Sequence, residues 1–134
     1  MKDSFRIGIA GLGTVGAGVV DLLQRNEALI AARAGVPIEV VAVCARDRCK
    51  TRGIDCASYD WVETPEALLD RGVLDAVVEL IGGQGGVAKD LCEKALSQGI
   101  SVVTANKAML AHYGYDLAVL AEKNGAALMY EAAV

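Results

Sequence analysis

Residues 5–16 read Phe5-Arg6-Ile7-Gly8-Ile9-Ala10-Gly11-Leu12-Gly13-Thr14-Val15-Gly16. The first six are apolar apart from Arg6 and predict a buried strand. The segment that follows has Val15, Val19, Leu22 and Leu23 on one helical face. Between strand and helix, Gly11, Gly13 and Gly16 form a G-x-G-x-x-G, and each glycine has a physical task. Gly11 makes the tight turn, Gly13 lets the backbone approach a pyrophosphate, and Gly16 lets helix and strand pack closely. The free N–H groups at the helix start then hold the phosphates. The bare pattern is weak, but between a strand and a helix within a βαβ unit it predicts a dinucleotide site over Gly11, Leu12, Gly13, Thr14, Val15 and Gly16.

Beyond this stretch, β-branched apolar runs alternate with segments of helical period. Ala31 to Gly35 closes the first helix, and Ile38 to Ala45 is an almost wholly apolar strand, as expected where helices cover both faces of a sheet. Residues Arg46 to Asp60 are polar and irregular and predict an excursion at the sheet's edge. Thr64-Pro65-Glu66 reads as an N-cap with proline at the first helical position, opening a short helix through Leu69. Asp75 to Leu80 is a further strand, leading to Gly82-Gly83-Gln84-Gly85-Gly86. A helix from Val87 to Gln98 presents Val87, Leu91 and Ala95, and Gly99 stands where a left-handed cap belongs. Ile100 to Ala105 is the next strand. A helix with Leu117, Leu120 and Ala121 ends at Asn124-Gly125, and a last strand runs from Ala127 toward Glu131.

This order predicts an α/β fold: a Rossmann-like, doubly wound, mainly parallel sheet with helices on both faces. The chain stops at Ala132-Ala133-Val134 without a turn or polar tail. The expectation is one dinucleotide-binding domain over residues 1–134, cut at its C-terminal end, with a catalytic or substrate domain absent from this chain.

Composition agrees with a single ordinary domain. The 134 residues are 54% hydrophobic and 22% charged, with 15 glycines and 2 prolines, which excludes disordered and collagen-like classes. Thirteen Lys and Arg against 17 Asp and Glu give a net charge of −4, which argues against nucleic acid or an anionic membrane as a partner. Any anionic ligand must then be held locally. Cys44, Cys49, Cys56 and Cys92 lack the C-x-x-C spacing of zinc or redox sites and read as reduced, mostly buried thiols. Lys2 and Arg6 before the uncharged run Ile7 to Val20 mimic a signal peptide. That run nevertheless holds five glycines and, at 14 residues, is too short to span a bilayer, so a cytoplasmic protein is the default.

The second strand ends Cys44-Ala45-Arg46-Asp47-Arg48. Arg46, with planar donors matched to phosphate, favours NADP, Asp47 keeps NAD open, and a solvated charge cluster is the plain alternative. In open α/β sheets ligands bind at the carboxyl ends of strands, so Ile81-Gly82-Gly83 and Thr104-Ala105-Asn106-Lys107 should border the nicotinamide. Lys107 follows directly on an apolar strand, where a cation binds a carboxylate or exchanges a proton with a substrate oxygen; capping the sheet edge is its bland role. His112 is the only histidine, so metal sites and triads built on histidine have little support and a surface helix position is expected. Trp61 and Tyr59 read as edge packing.

Four motifs occur together and in order: Gly11 to Gly16 with Gly18-Val19-Val20, Val78-Glu79-Leu80-Ile81-Gly82-Gly83, Val103-Thr104-Ala105-Asn106-Lys107-Ala108, and Tyr130-Glu131-Ala132-Ala133-Val134. Over essentially the whole chain this resembles the N-terminal cofactor domain of the homoserine dehydrogenase family. The resemblance implies an oxidoreductase that interconverts L-homoserine and L-aspartate 4-semialdehyde with NADP or NAD, in the route to threonine and methionine, as a homo-oligomer at full length. It implies that Leu12, Gly13, Thr14 and Val15 contact pyrophosphate and ribose, Arg46 the 2′-phosphate, and Gly82, Thr104 and Lys107 the nicotinamide side. Lys107 would position substrate or move a proton. Glu131 and Val134 would begin a sodium-binding loop completed by residues past the chain end. Two other readings stand beside it: the cofactor domain of an aspartate or sugar dehydrogenase, and a non-catalytic NAD-sensing regulatory domain.

Overall fold

The computed structural model describes residues 4–11, 14–44, 60–71, 74–81 and 86–130, with 14–17, 19, 20, 34 and 71 described for main chain only. The strands are β1 (Phe5–Ala10), β2 (Ile38–Cys44), β3 (Asp60–Val62), β4 (Ala76–Glu79), β5 (Ser101–Thr104) and β6 (Leu128–Tyr130). The helices are α1 (Thr14–Arg25), α2 (Glu27–Ala34), α3 (Val87–Ser97) and α4 (Lys107–Lys123), with a 3₁₀ helix at Pro65–Arg71. All six strands pair in parallel, in the order β3-β2-β1-β4-β5-β6. The doubly wound α/β fold expected from the sequence is therefore present.

Crossover handedness explains the layers. Connections that step one way along the sheet lie on one face and those that step the other way lie on the opposite face, because parallel crossovers are right-handed. The 3₁₀ helix, α3 and α4 step from β3 toward β6. Their residues Leu68, Leu69, Leu91, Ala95, Met109 and Leu117 share one core with Ala42, Cys44, Val77 and Val102. Leu23 of α1, on the β1 to β2 connection, packs instead with Ile7, Ile9, Val43 and Ala76.

The register of β1 against β2 slips between Ile7 and Gly8, which face Val40 and Ala42. Val40 and Val43 consequently face one core while Val41 and Ala42 face the other. Such a bulge lets the strand change phase, and the apolar run Val40 to Cys44 carries no alternation that would reveal it.

Several local expectations need correction. The first helix is two: Asn26 interrupts it, its side-chain amide donating to the Leu22 carbonyl at 3.1 Å, a local bond that competes with the helical ladder. Leu22 was expected on the inner face but is 57% exposed. Leu23 takes the sheet-facing position, and adjacent helical residues point about 100° apart. Val87 is likewise 50% exposed, since the buried stripe of α3 is Ala88, Leu91, Cys92, Ala95 and Leu96. The segment after Thr64 is 3₁₀, with the Ala67 N–H donating to the Thr64 hydroxyl at 3.3 Å and to its carbonyl at 3.1 Å. The three-residue β3 was not anticipated. It occupies the sheet edge, and its Trp61 packs against the smaller core, the edge role expected of that residue. Gly35 and Gly99 close their helices at φ of 83° and 78°.

Cys44 and Cys92 are free and buried, as expected; Cys49, Cys56 and Tyr59 lie outside the described residues. Burial pushes the Cys44 thiol up, with Glu66 adding to it, and pushes Cys92 up to about 12, with the nearby Glu79 carboxylate a second cause. The folded protein thus keeps a proton that the unfolded chain gives up. Stability is whole below about pH 9 and falls as the pH climbs toward about 12, by about 1.4 kcal/mol per unit for this one group. In urea titrations at pH 8 and pH 10, Cys92→Ala is expected to lose about 1 kcal/mol less than the wild type between the two. Equal losses would clear Cys92 as the titrating group.

Candidate functional site

The strand order changes direction between β1 and β4, and the carboxyl ends of these two strands form the crevice where doubly wound sheets bind ligands. Gly11 sits at that point. Its N–H donates to the Cys44 carbonyl at 2.8 Å, while the Leu80 N–H donates to the Ala10 carbonyl at 2.8 Å, so both ladders continue up to the glycine. The chain then leaves the sheet with Gly11 at φ +99°, a conformation that L side chains rarely adopt. A Cβ here would lie 2.7 Å from the Leu80 carbonyl oxygen and 3.0 Å from the Ile81 nitrogen. The glycine thus answers both to its turn and to the close approach of the chain leaving β4. The main chain enters α1 at Thr14, and the start of an α-helix leaves the N–H groups of its first turn without partners inside the helix.

A second constellation joins the ends of β4 and β5. Glu79 is 0% exposed, although it belongs to an otherwise apolar strand. One carboxylate oxygen accepts from the Ile81 N–H at 2.7 Å, and the other accepts from the Thr104 hydroxyl at 2.6 Å. Thr104, 2% exposed, in turn accepts from the Asn106 N–H at 3.0 Å. Asn106 is the buried N-cap of α4, its side-chain oxygen accepting from the Met109 N–H at 3.0 Å. A run of polar contacts thus passes from the exit of β4, through β5, into the first turn of α4.

Lys107 is the first residue of α4 and is exposed, beside this run. No acidic residue occupies the first turn of α4 to offset its charge. The structure brings Gly11, Thr14, Val15 and Gly16 to one strand end, and Thr104 and Lys107 to another in the same sheet. The Thr104 hydroxyl donates inward to Glu79, while Lys107 beside it is exposed. Leu12, Gly13, Arg46, Gly82, Glu131 and Val134 lie outside the described residues. His112 is exposed on α4, the surface position expected. Glu79 was given no role by its sequence context. Its signal was available: a lone carboxylate two positions from Val77, which strand alternation places on the same inner face.

A parallel sheet of this strand order, with a forced glycine at its reversal point and a helix opening three residues later, defines a nucleotide-binding domain of the Rossmann class. Comparison with known proteins narrows this. Residues 11–131 match the family model described as homoserine dehydrogenase, NAD binding domain, and the chain belongs to that family. The homoserine dehydrogenase of Neisseria gonorrhoeae is 44% identical over 128 residues, covering 96% of this chain and 29% of that protein. That of Pseudomonas aeruginosa is 42% identical over 134 residues, again 96% and 29%. Among solved structures, Staphylococcus aureus homoserine dehydrogenase at pH 6.0 superposes with a TM-score of 0.87 at 36% identity, covering 96% of this chain and 32% of that one. The enzyme from Thiobacillus denitrificans gives 0.88 at 37% identity, over 98% and 30%. The chain therefore spans less than a third of the length of these relatives. Family membership favours this reading over an aspartate or sugar dehydrogenase or an NAD sensor.

Proposed function

We propose that this chain forms the cofactor domain of an oxidoreductase that interconverts L-homoserine and L-aspartate 4-semialdehyde, with the substrate site supplied by a domain outside residues 1–134. The cofactor part of this reading rests above all on Gly11, whose enforced conformation at the sheet's reversal point makes the tight turn that precedes a pyrophosphate site, and the reaction on membership of the family. A nicotinamide held at this strand end would supply hydride transfer to and from the substrate's alcohol carbon. The first turn of α1 holds the phosphates by main-chain N–H groups, which suits a protein of net charge −4. Lys107 holds the substrate in place or exchanges a proton with its oxygen.

NADP is the preferred cofactor in this proposal, through Arg46, with NAD accepted more weakly. Glu131 and Val134 begin a sodium site completed elsewhere in the polypeptide, and the whole protein is a cytoplasmic homo-oligomer acting on a small molecule, without nucleic acid or membrane. Among the described residues no helix is long and apolar enough to cross a membrane. The proposal is tested by calorimetric titration of the chain with NADPH and NADH, where absence of heat with both would end it. Arg46→Ala is expected to weaken NADPH by about tenfold, the loss of one charged phosphate contact, while NADH stays within twofold. Equal loss of both would remove Arg46 from 2′-phosphate recognition.

A further inference from the structure

We infer that Glu79 is a positioning residue for the nicotinamide side of this site: its buried carboxylate sets the spacing between the exit of β4 and the start of α4. The inference rests on the cofactor reading above and adds a residue to it. Three observations carry it. Glu79 is fully buried in a strand whose other members are Ala76, Val77 and Val78, a position where an apolar side chain would pack without desolvating a carboxylate. Its two oxygens are divided between different elements: the Ile81 N–H at 2.7 Å, where the chain leaves β4, and the Thr104 hydroxyl at 2.6 Å, at the end of β5. The Thr104 oxygen also accepts from the Asn106 N–H at 3.0 Å, and Asn106 caps the helix that begins with Lys107.

A fork of this kind does what strand pairing alone cannot. The ladder between β4 and β5 ends at Glu79 and Thr104, so the segments that would face a nicotinamide begin where backbone pairing stops. The carboxylate carries the constraint one step further, into Ile81 on one side and Asn106 on the other. A glutamine has the same shape but one acceptor. If its oxygen keeps the Ile81 N–H, its amide group meets the Thr104 oxygen, and the threonine hydroxyl loses its acceptor inside the core. The link toward Lys107 then loosens while the crevice at Gly11 is untouched.

The test compares NADPH with ADP, which lacks the nicotinamide half, by calorimetric titration of this chain. Glu79→Gln is expected to weaken NADPH by about tenfold while ADP stays within about twofold. Thr104→Val should match that loss, Thr104→Ser should restore wild-type affinity, and the Glu79→Gln, Thr104→Val double variant should lose no more than either alone. Equal weakening of NADPH and ADP by Glu79→Gln would overturn the inference, because it would mark a general effect on the fold. So would unchanged NADPH affinity in both Glu79→Gln and Thr104→Val. Wild-type protein that binds neither NADPH nor NADH would instead overturn the cofactor reading on which the inference stands. Should Glu79→Gln fail to fold, the Thr104→Val and Thr104→Ser pair decides the matter alone.

Discussion

Replacing Gly11 by valine is expected to abolish measurable dinucleotide binding and to lower the unfolding free energy by about 2–6 kcal/mol. Two costs add. The first is conformational: Gly11 holds φ +99°, and a side chain there carries strain of about 1–3 kcal/mol. The second is steric, because the new Cβ would stand 2.7 Å and 2.8 Å from the Leu80 carbonyl oxygen and carbon, which are backbone atoms. They cannot swing aside as a side-chain end would, since the Leu80 N–H bond to Ala10 and the Gly11 N–H bond to Cys44, both 2.8 Å, fix the chains on each side. Relief would have to come from parting β1 and β4 at their carboxyl ends, a further cost of about 1–3 kcal/mol. That movement deforms the crevice the phosphates would occupy, so binding is lost even in molecules that stay folded. Gly18 is the control. It is exposed in α1 with nothing within 4 Å of a Cβ, and Gly18→Ala should raise stability by about 0.5–1 kcal/mol through helix propensity. Urea midpoints and NADPH titration of both variants decide it. A Gly11→Val protein that binds NADPH with wild-type affinity would show that the turn is not the phosphate cradle.

The contrast between Gly11 and Gly18 also shows which features a sequence makes legible. Turn chemistry, caps and apolar runs are local. Gly11, Thr64-Pro65, Gly99 and Asn124-Gly125 therefore marked element ends that the structure places within a residue or two, and the alternation of runs was enough for a parallel doubly wound sheet. What stayed hidden depends on partners distant in the chain. The slip at Val41 exists only against β1, and β3 is three residues that become a strand by pairing with β2. Leu23 and not Leu22 faces the sheet, a choice between adjacent positions that helical period alone leaves open. Glu79 is the sharpest case in the site. Its second donor, the Thr104 hydroxyl, is 25 residues away, so a carboxylate that reads locally as an interruption of an apolar strand is a fork across two strand ends.

Lys107→Ala is expected to cut kcat/KM for homoserine by about 10²–10⁴-fold in the whole polypeptide that carries this domain, with NADPH affinity within about twofold. The expectation follows from where the lysine stands. Asn106 caps α4 and is itself held by Thr104, so the first residue of the helix is presented from a fixed backbone while its side chain remains exposed. As a structural element the residue is poorly chosen. A cation in the first turn opposes the helix dipole, at about 0.3–1 kcal/mol, and no acidic residue in that turn offsets it. Alanine should therefore leave the fold as stable as before or slightly more so, which separates loss of activity from loss of structure. Lys107→Arg then distinguishes the two roles. Arginine keeps the positive charge but does not release a proton in proteins. If Lys107 holds the substrate by charge, the arginine variant should recover at least tenfold over alanine, mainly in KM; if it transfers a proton, arginine should be as poor as alanine in kcat. Wild-type kcat/KM in Lys107→Ala, with a thermal midpoint unchanged or raised, would take the lysine out of the reaction and leave it an exposed helix start.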